Sequence, residues 1–238
     1  MGACPAALSL VATSHHRRTG SAFRRAAWTR RAALHALGAV AMLLGQACAG
    51  QSDLPVYWTA PQFTLLDQDG APFSSGDIGG RVVVANFIYT SCTDICPMLS
   101  ATMRRVQERL RQERLLGTRA ILLSFSVDPE HDTPPVLRAY AQRFSADPAG
   151  WKFLTGDPLY VQEVIVRGFK LGVQRVSVLP GAQRPIEVTH TDRFALIDGR
   201  GQIRAFLRGS ELNVEALMQD LKRLADQTGG PRGSDHRE

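Results

Sequence analysis

Two nearly continuous apolar runs, at residues 81–89 and 120–127, constrain the fold of this chain most strongly. Such runs are typical of strands that are buried on both faces of a sheet, and these strands need further structure above and below. Between them, apolar residues recur at helical spacing after Pro97, which is a favourable first helical residue. This order of elements predicts an α/β protein.

The remaining pattern continues the alternation of strands and helices. Further strands are predicted at 63–66, 151–154, 194–197 and 203–207, and further helices from Pro134, Pro158 and about Asn213. Residues 172–189 have the pattern of a β-hairpin that turns on Pro180 and Gly181. Together these elements predict a thioredoxin-like fold, with a mixed central sheet, helices on both faces and an inserted β-hairpin.

The domain boundaries follow from changes in composition. Residues 1–49 form a predicted signal or membrane-anchor segment, and residues 50–60 a linker. The folded domain is expected at 61–227, and the tail at 228–238, rich in glycine and charge, is expected to be disordered.

The first 49 residues also explain the basic composition. Six of the 28 basic residues lie there and no acidic residue does, so the remaining 22 balance the 22 acidic residues of the chain. The absence of net charge beyond residue 49 argues against nucleic-acid binding. The segment could be cleaved after Ala49, lipidated at Cys48 or retained as an anchor. Each alternative places the domain outside the cytoplasm, on the periplasmic side, where a dithiol is not kept reduced by default.

Cys92 and Cys96 are the only thiols that follow this segment, and they lie directly after the first long apolar run. Their spacing lets the two sulfurs converge on one helical turn or within a loop. The start of a helix lowers the pKa of a nearby thiol, and the thiolate is both a nucleophile and a metal ligand. A structural disulfide is the plainer interpretation, but a bridge across so short a loop removes little chain entropy. We therefore expect a redox-active dithiol or a metal site.

A third metal ligand can be sought by elimination. Beyond residue 49 the histidines are His131, His190 and His236, and His236 lies in the tail. Turn and capping roles account for the segment around His131, which leaves His190 at a predicted sheet end. A lone histidine is more commonly a surface residue, so His190 is a candidate only because of the cysteine pair. Two thiolates and an imidazole suit Cu(I), or Cu(II) with an added oxygen donor, whereas zinc normally has a fourth ligand.

The order of these motifs resembles the Sco (SenC) family. This family consists of copper proteins of thioredoxin fold that help to assemble the dinuclear copper centre of cytochrome c oxidase. The matching segments are 87–97 (FIYTSCTDICP), 126–134 (SVDPEHDTP), 153–156 (FLTG) and His190-Thr191. The resemblance implies copper ligation by Cys92, Cys96 and His190. It also places Asp128 near the site, although capping of a turn explains that residue equally well.

The chain departs from the family pattern around His190. The family histidine usually follows Asp and precedes Ser, whereas Thr189 and Thr191 flank it here. A carboxylate that orients the imidazole would then come from elsewhere in the chain, and Asp192 is a candidate.

The expected function is that of a metallochaperone, and the sequence leaves open whether the dithiol also gives the chain a thiol-disulfide reductase activity. The chain would deliver copper by ligand exchange to the copper-binding subunit of cytochrome c oxidase, and a periplasmic copper donor or thiol reductant would be a further partner. The alternative is an extracytoplasmic thiol-disulfide oxidoreductase that reduces the cysteines of the oxidase copper site. A thiol peroxidase is disfavoured, because the Thr/Pro/Arg arrangement around a peroxidatic cysteine is not apparent.

Overall fold

The computed structural model describes residues 54–172 and 192–227, which are built around a six-stranded mixed sheet. In chain order the strands are β1 (Trp58–Thr59), β2 (Thr64–Leu66), β3 (Pro72–Ser74), β4 (Val82–Ile88), β5 (Ala120–Ser126), β6 (Trp151–Leu154), β7 (Arg193–Ile197) and β8 (Gln202–Arg208). The spatial order in the main sheet is β1-β8-β7-β4-β5-β6, and β2 and β3 form a separate hairpin. Strands β4, β5 and β6 are parallel, whereas β7 is antiparallel to both β4 and β8.

Four helices accompany the strands in the described part of the chain. They are α1 (Ile95–Gln112), α2 (Pro134–Arg143), α3 (Pro158–Glu163) and α4 (Val214–Gln227). Helix α3 continues into a π-helical turn at Val164–Gly168. Short 3-10 turns follow β3 and β8, at Ser75–Ile78 and Gly209–Glu211.

The sheet separates two hydrophobic cores. Helices α1, α2 and α4 pack on one face, and α3 with the β2–β3 hairpin packs on the other. Every residue of β4 and β5 is buried, as expected for central parallel strands that are covered on both faces. These two strands therefore hold the loops at their carboxyl ends on a rigid support.

The architecture confirms the predicted thioredoxin-like α/β class. One difference concerns the predicted linker at 50–60, whose residues 58 and 59 form the edge strand β1. There Trp58 pairs with Ile203, packs its ring against that of Phe206 and donates its indole N–H to the carbonyl of Gly168 at 2.9 Å. An aromatic anchor thus extends the sheet by one strand. The predicted hairpin at 172–189 lies, apart from its first residue, outside the described residues.

The described residues all fall within one compact unit, whose boundary lies between residues 52 and 53. Among the helices of this part of the chain, none combines the length and the apolar character that a bilayer crossing requires.

The buried stripe of α1 should account for much of the stability of the domain. Leu110 is fully buried, whereas Leu159 is 77% exposed. We expect Leu110→Ala to lower the free energy of unfolding by about 2–5 kcal/mol, because it removes buried methyl groups and leaves a cavity. The matched change Leu159→Ala should alter it by less than about 0.5 kcal/mol. Urea denaturation measures both, and equal effects would contradict this description of the core.

Candidate metal and redox centre

The two cysteines lie at the carboxyl end of β4, in the middle of the sheet. The chain leaves β4 through a turn that is closed by a hydrogen bond from the Cys92 N–H to the carbonyl of Tyr89, at 3.3 Å. Cys92 is 8% exposed and Cys96 is fully buried, and both thiols are free. Ligand sites in open α/β sheets favour this edge, because loops from neighbouring parallel strands converge there.

Helix α1 begins at Ile95, two residues before the start that the sequence indicates at Pro97. Cys96 therefore lies within the first turn, where backbone N–H groups have no partner inside the helix. The Cys96 N–H donates to the Cys92 sulfur at 3.4 Å. The sulfur thus takes the capping position that a side-chain oxygen usually occupies, and the positive end of the helix favours a thiolate there.

The pKa of Cys92 is lowered from its ordinary value. Burial opposes this shift, but the backbone of Cys96, the Cys96 thiol, the backbone of Asp94 and the Tyr89 hydroxyl all form hydrogen bonds to the sulfur and outweigh it. The pKa of Tyr89 is raised, by burial first and then by its hydrogen bond to Cys92. Tyr89 therefore stays protonated and serves as a donor to the sulfur. Its role is not apparent from the sequence.

The pKa of Cys96 shifts in the opposite direction. Burial raises it, and the hydrogen bond to Cys92 and the negative charges of Cys92 and Asp132 add to the increase, although the backbone of Tyr89 opposes it. The pair is therefore unequal, because Cys92 forms the thiolate more readily and Cys96 retains its proton.

A buried carboxylate lies next to the cysteine loop. Asp132 is fully buried and accepts hydrogen bonds from the hydroxyls of Thr90 and Ser126, both at 2.6 Å. Both of its oxygens also lie 3.2 Å from the Thr90 N–H. The ring Nδ1 of His131 lies 3.1 Å from the same carboxylate, and that side chain is 56% exposed. Asp132 is not predicted as a site residue from the sequence, because turn and capping roles account for its segment.

Asp128 lies on the same loop. Its carbonyl accepts the Asp132 N–H at 2.8 Å, and its own N–H donates to the Ser126 hydroxyl at 3.1 Å. The charge of Asp128 contributes to the raised pKa of Tyr89. Asp128 thus helps to shape the turn and also acts electrostatically on a neighbour of Cys92.

The predicted third ligand, His190, lies outside the described residues, so its ligation stays a prediction. Within 54–172 and 192–227, the His, Cys, Asp and Glu side chains form no group of three or more that could hold a metal ion. Asp192, the candidate partner of the imidazole, accepts hydrogen bonds from the backbone N–H of Ser210 at 2.8 Å and from its hydroxyl at 2.5 Å. The structure therefore brings Cys92 and Cys96 together. The Asp192 carboxylate is bound by Ser210.

Two curated relatives match most of the chain. A protein named "SCO1 protein homolog" from Bacillus subtilis is 32% identical over 179 residues, which are 74% of this chain and 88% of the relative. A protein from Stutzerimonas stutzeri, named "Putative copper-binding protein", is 30% identical over 173 residues, which are 73% of this chain and 80% of that protein.

Solved structures agree with these relatives. A SCO1/SenC family lipoprotein from Bacillus anthracis is 33% identical with a TM-score of 0.63, and the match covers 71% of this chain and 95% of that one. BsSco, described as a member of the Sco family of cytochrome c oxidase assembly proteins with a disulfide switch, is 29% identical with a TM-score of 0.61. That match covers 74% of this chain and 98% of BsSco.

The SCO1/SenC family model matches residues 54–226, a range that includes both cysteines and all the described strands and helices except the last residue of α4. The chain therefore belongs to the SCO1/SenC family.

Proposed function

We propose that this chain binds copper through Cys92, Cys96 and His190 and delivers it to the dinuclear copper centre of a cytochrome oxidase. The observation that carries the proposal is the contact between the two cysteines, in which the Cys92 sulfur caps the first turn of α1 at Cys96. The copper-binding description of the Stutzerimonas stutzeri relative supports the choice of metal.

The donor set accounts for the preference for copper. Two sulfurs and one imidazole are soft ligands, and softness selects Cu(I) over harder divalent ions. Cu(II) would be accommodated by the same ligands with an oxygen donor or a water completing the shell. The lowered pKa of Cys92 assists binding, since a ligating thiol must lose its proton.

Delivery would proceed by exchange of ligands. Cys92 retains 8% exposure whereas Cys96 has none, so a partner's sulfur or imidazole would approach the copper from the Cys92 side. Cys96, on the buried side of the ion, would stay bound to it until the transfer is complete. Because each incoming ligand replaces an outgoing one, no free copper ion is released.

The proposed recipient is the copper-binding subunit of a cytochrome c oxidase, and a copper donor or a thiol reductant would act before it. The description of BsSco as belonging to a family of oxidase assembly proteins supports this recipient. We place the domain outside the cytoplasm, on the periplasmic side, where its N-terminal segment would secrete or anchor it. The description of the Bacillus anthracis relative as a lipoprotein is in keeping with that location.

Removal of the imidazole tests the ligand set. We expect His190→Ala to weaken Cu(I) binding by at least about tenfold, because the ion loses one of three ligands. Competition with a chromophoric Cu(I) chelator measures the affinity. His236→Ala, in the tail, is the matched control and should bind as the unchanged protein does. Equal affinity in His190→Ala and the control would remove His190 from the site.

A second function is supported by the inequality of the two thiols. The Cys92 thiolate would attack a disulfide of the oxidase subunit to form a mixed disulfide, and the partner's first thiol would leave. Cys96 would then displace the second thiol, so that a Cys92–Cys96 disulfide forms and the partner gains two electrons and two protons. A thiol reductant would restore the dithiol. The disulfide switch reported for BsSco supports this alternative.

The inequality itself predicts selective alkylation. In the metal-free, reduced protein we expect iodoacetamide to modify Cys96→Ser, which retains Cys92, much faster than Cys92→Ser, which retains the buried thiol. Because the pKa of Cys92 is lowered, its thiolate fraction and its reaction rate should persist at a lower pH than those of an ordinary thiol. Mass spectrometry at several pH values measures both rates. Faster modification of Cys96 would contradict the assignment of Cys92 as the attacking sulfur.

A further inference from the structure

The Asp132 carboxylate joins the two loops that meet at the cysteine site. Thr90 lies in the turn after β4, whereas Ser126 ends β5, and the hydroxyls of both donate to this carboxylate at 2.6 Å. A second connection runs alongside, since the N–H of Val127 donates to the carbonyl of Ile88 at 2.9 Å. The carboxyl ends of β4 and β5 are thereby fixed to each other through one buried side chain.

Burial of a carboxylate is costly unless hydrogen bonds compensate it. Each contact of Asp132 comes from a group that can donate, namely the N–H and hydroxyl of Thr90, the hydroxyl of Ser126 and the ring of His131. These hydrogen bonds therefore compensate the cost of burying the Asp132 carboxylate. An apolar side chain could fill the same volume without needing these partners, so packing alone does not explain an acid here.

Thr90 is the link between this carboxylate and Cys92. It is a central residue of the turn that the hydrogen bond between Cys92 and Tyr89 closes at 3.3 Å. Asp132 holds Thr90 at two points, through the backbone N–H and through the hydroxyl. A residue held at two points has little freedom to rotate, and the orientation of the turn decides where the Cys92 sulfur lies relative to the first turn of α1.

We propose that Asp132 is a positioning residue that holds the Cys92 sulfur beside Cys96 by fixing Thr90. Asp132 would not bind copper or exchange sulfur itself. Groups that orient a metal ligand in this way typically change metal affinity about 10- to 100-fold when they are removed. The inference rests on the proposed function where copper is the probe, but the convergence of the two sulfurs can also be measured without copper.

The test uses phenylarsine oxide, which bridges two converging thiols with the release of one water, together with Cu(I). Thr90→Val removes the hydroxyl but keeps the shape and the backbone N–H, and Thr90→Ser restores the hydroxyl. We expect Thr90→Val and Asp132→Asn each to weaken arsenical and Cu(I) binding by about tenfold. The affinity of Thr90→Ser for both probes should stay within about twofold of that of the unchanged protein. The double variant, Thr90→Val with Asp132→Asn, should lose no more affinity than Asp132→Asn alone.

Asp198→Asn is the matched control. Asp198 is a buried carboxylate that binds Arg204 at 2.8 Å and lies after β7, at the sheet end opposite the cysteines. We expect the Asp198→Asn variant to unfold at a lower urea concentration than the unchanged protein and to bind the arsenical with unchanged affinity. Unchanged binding in Thr90→Val, or an equal loss in Asp198→Asn, would overturn the inference. If the unchanged protein binds the arsenical but not Cu(I), the proposed function fails while the arsenical still tests the positioning role.

Discussion

The hydrogen bond from the Cys96 backbone to the Cys92 sulfur is the contact on which the candidate site depends. It forms because α1 begins at Ile95, which places the Cys96 N–H in the first turn, where it has no acceptor within the helix. The preceding turn positions the Cys92 sulfur to accept this hydrogen bond. The same contact lowers the pKa of Cys92 and brings the two sulfurs together. One local feature of the backbone would thus prepare the pair for both of the proposed activities, metal binding and thiol exchange.

The unequal environments of the two thiols reconcile the two proposed activities. Cys96 is fully buried between α1 and the sheet, whereas Cys92 remains slightly exposed and is surrounded by donors. In copper transfer, the Cys92 sulfur would be the first to exchange its bond. In thiol exchange, the same sulfur would attack and the buried one would complete the reaction. Both activities would use a single direction of approach, and the oxidation state of the pair would determine which of them is available.

The sequence predicted the parts of the molecule that local patterns encode. The apolar runs at 81–89 and 120–127 correctly predict β4 and β5, and the place of the cysteine pair directly after a buried strand makes it a candidate site. The predicted start of α1 at Pro97 is two residues late, because the N–H groups of a first turn have no partner within the helix and a proline is therefore tolerated at its third residue as well. Asp132 could not be identified, since its role arises from a contact with Thr90 across 42 residues of sequence, whereas its local neighbours Thr133 and Pro134 only indicate the start of a helix.

In the proposed function, Cys92, Cys96 and His190 together hold one copper ion. X-ray absorption spectroscopy of the Cu(I)-loaded protein tests it most directly, because the spectrum counts the sulfur and nitrogen neighbours of the metal. Two sulfur ligands and one imidazole nitrogen are predicted, and His190→Ala should lose the nitrogen while it keeps both sulfurs. A spectrum with sulfur neighbours alone, or an imidazole signal that persists in His190→Ala, would contradict the account.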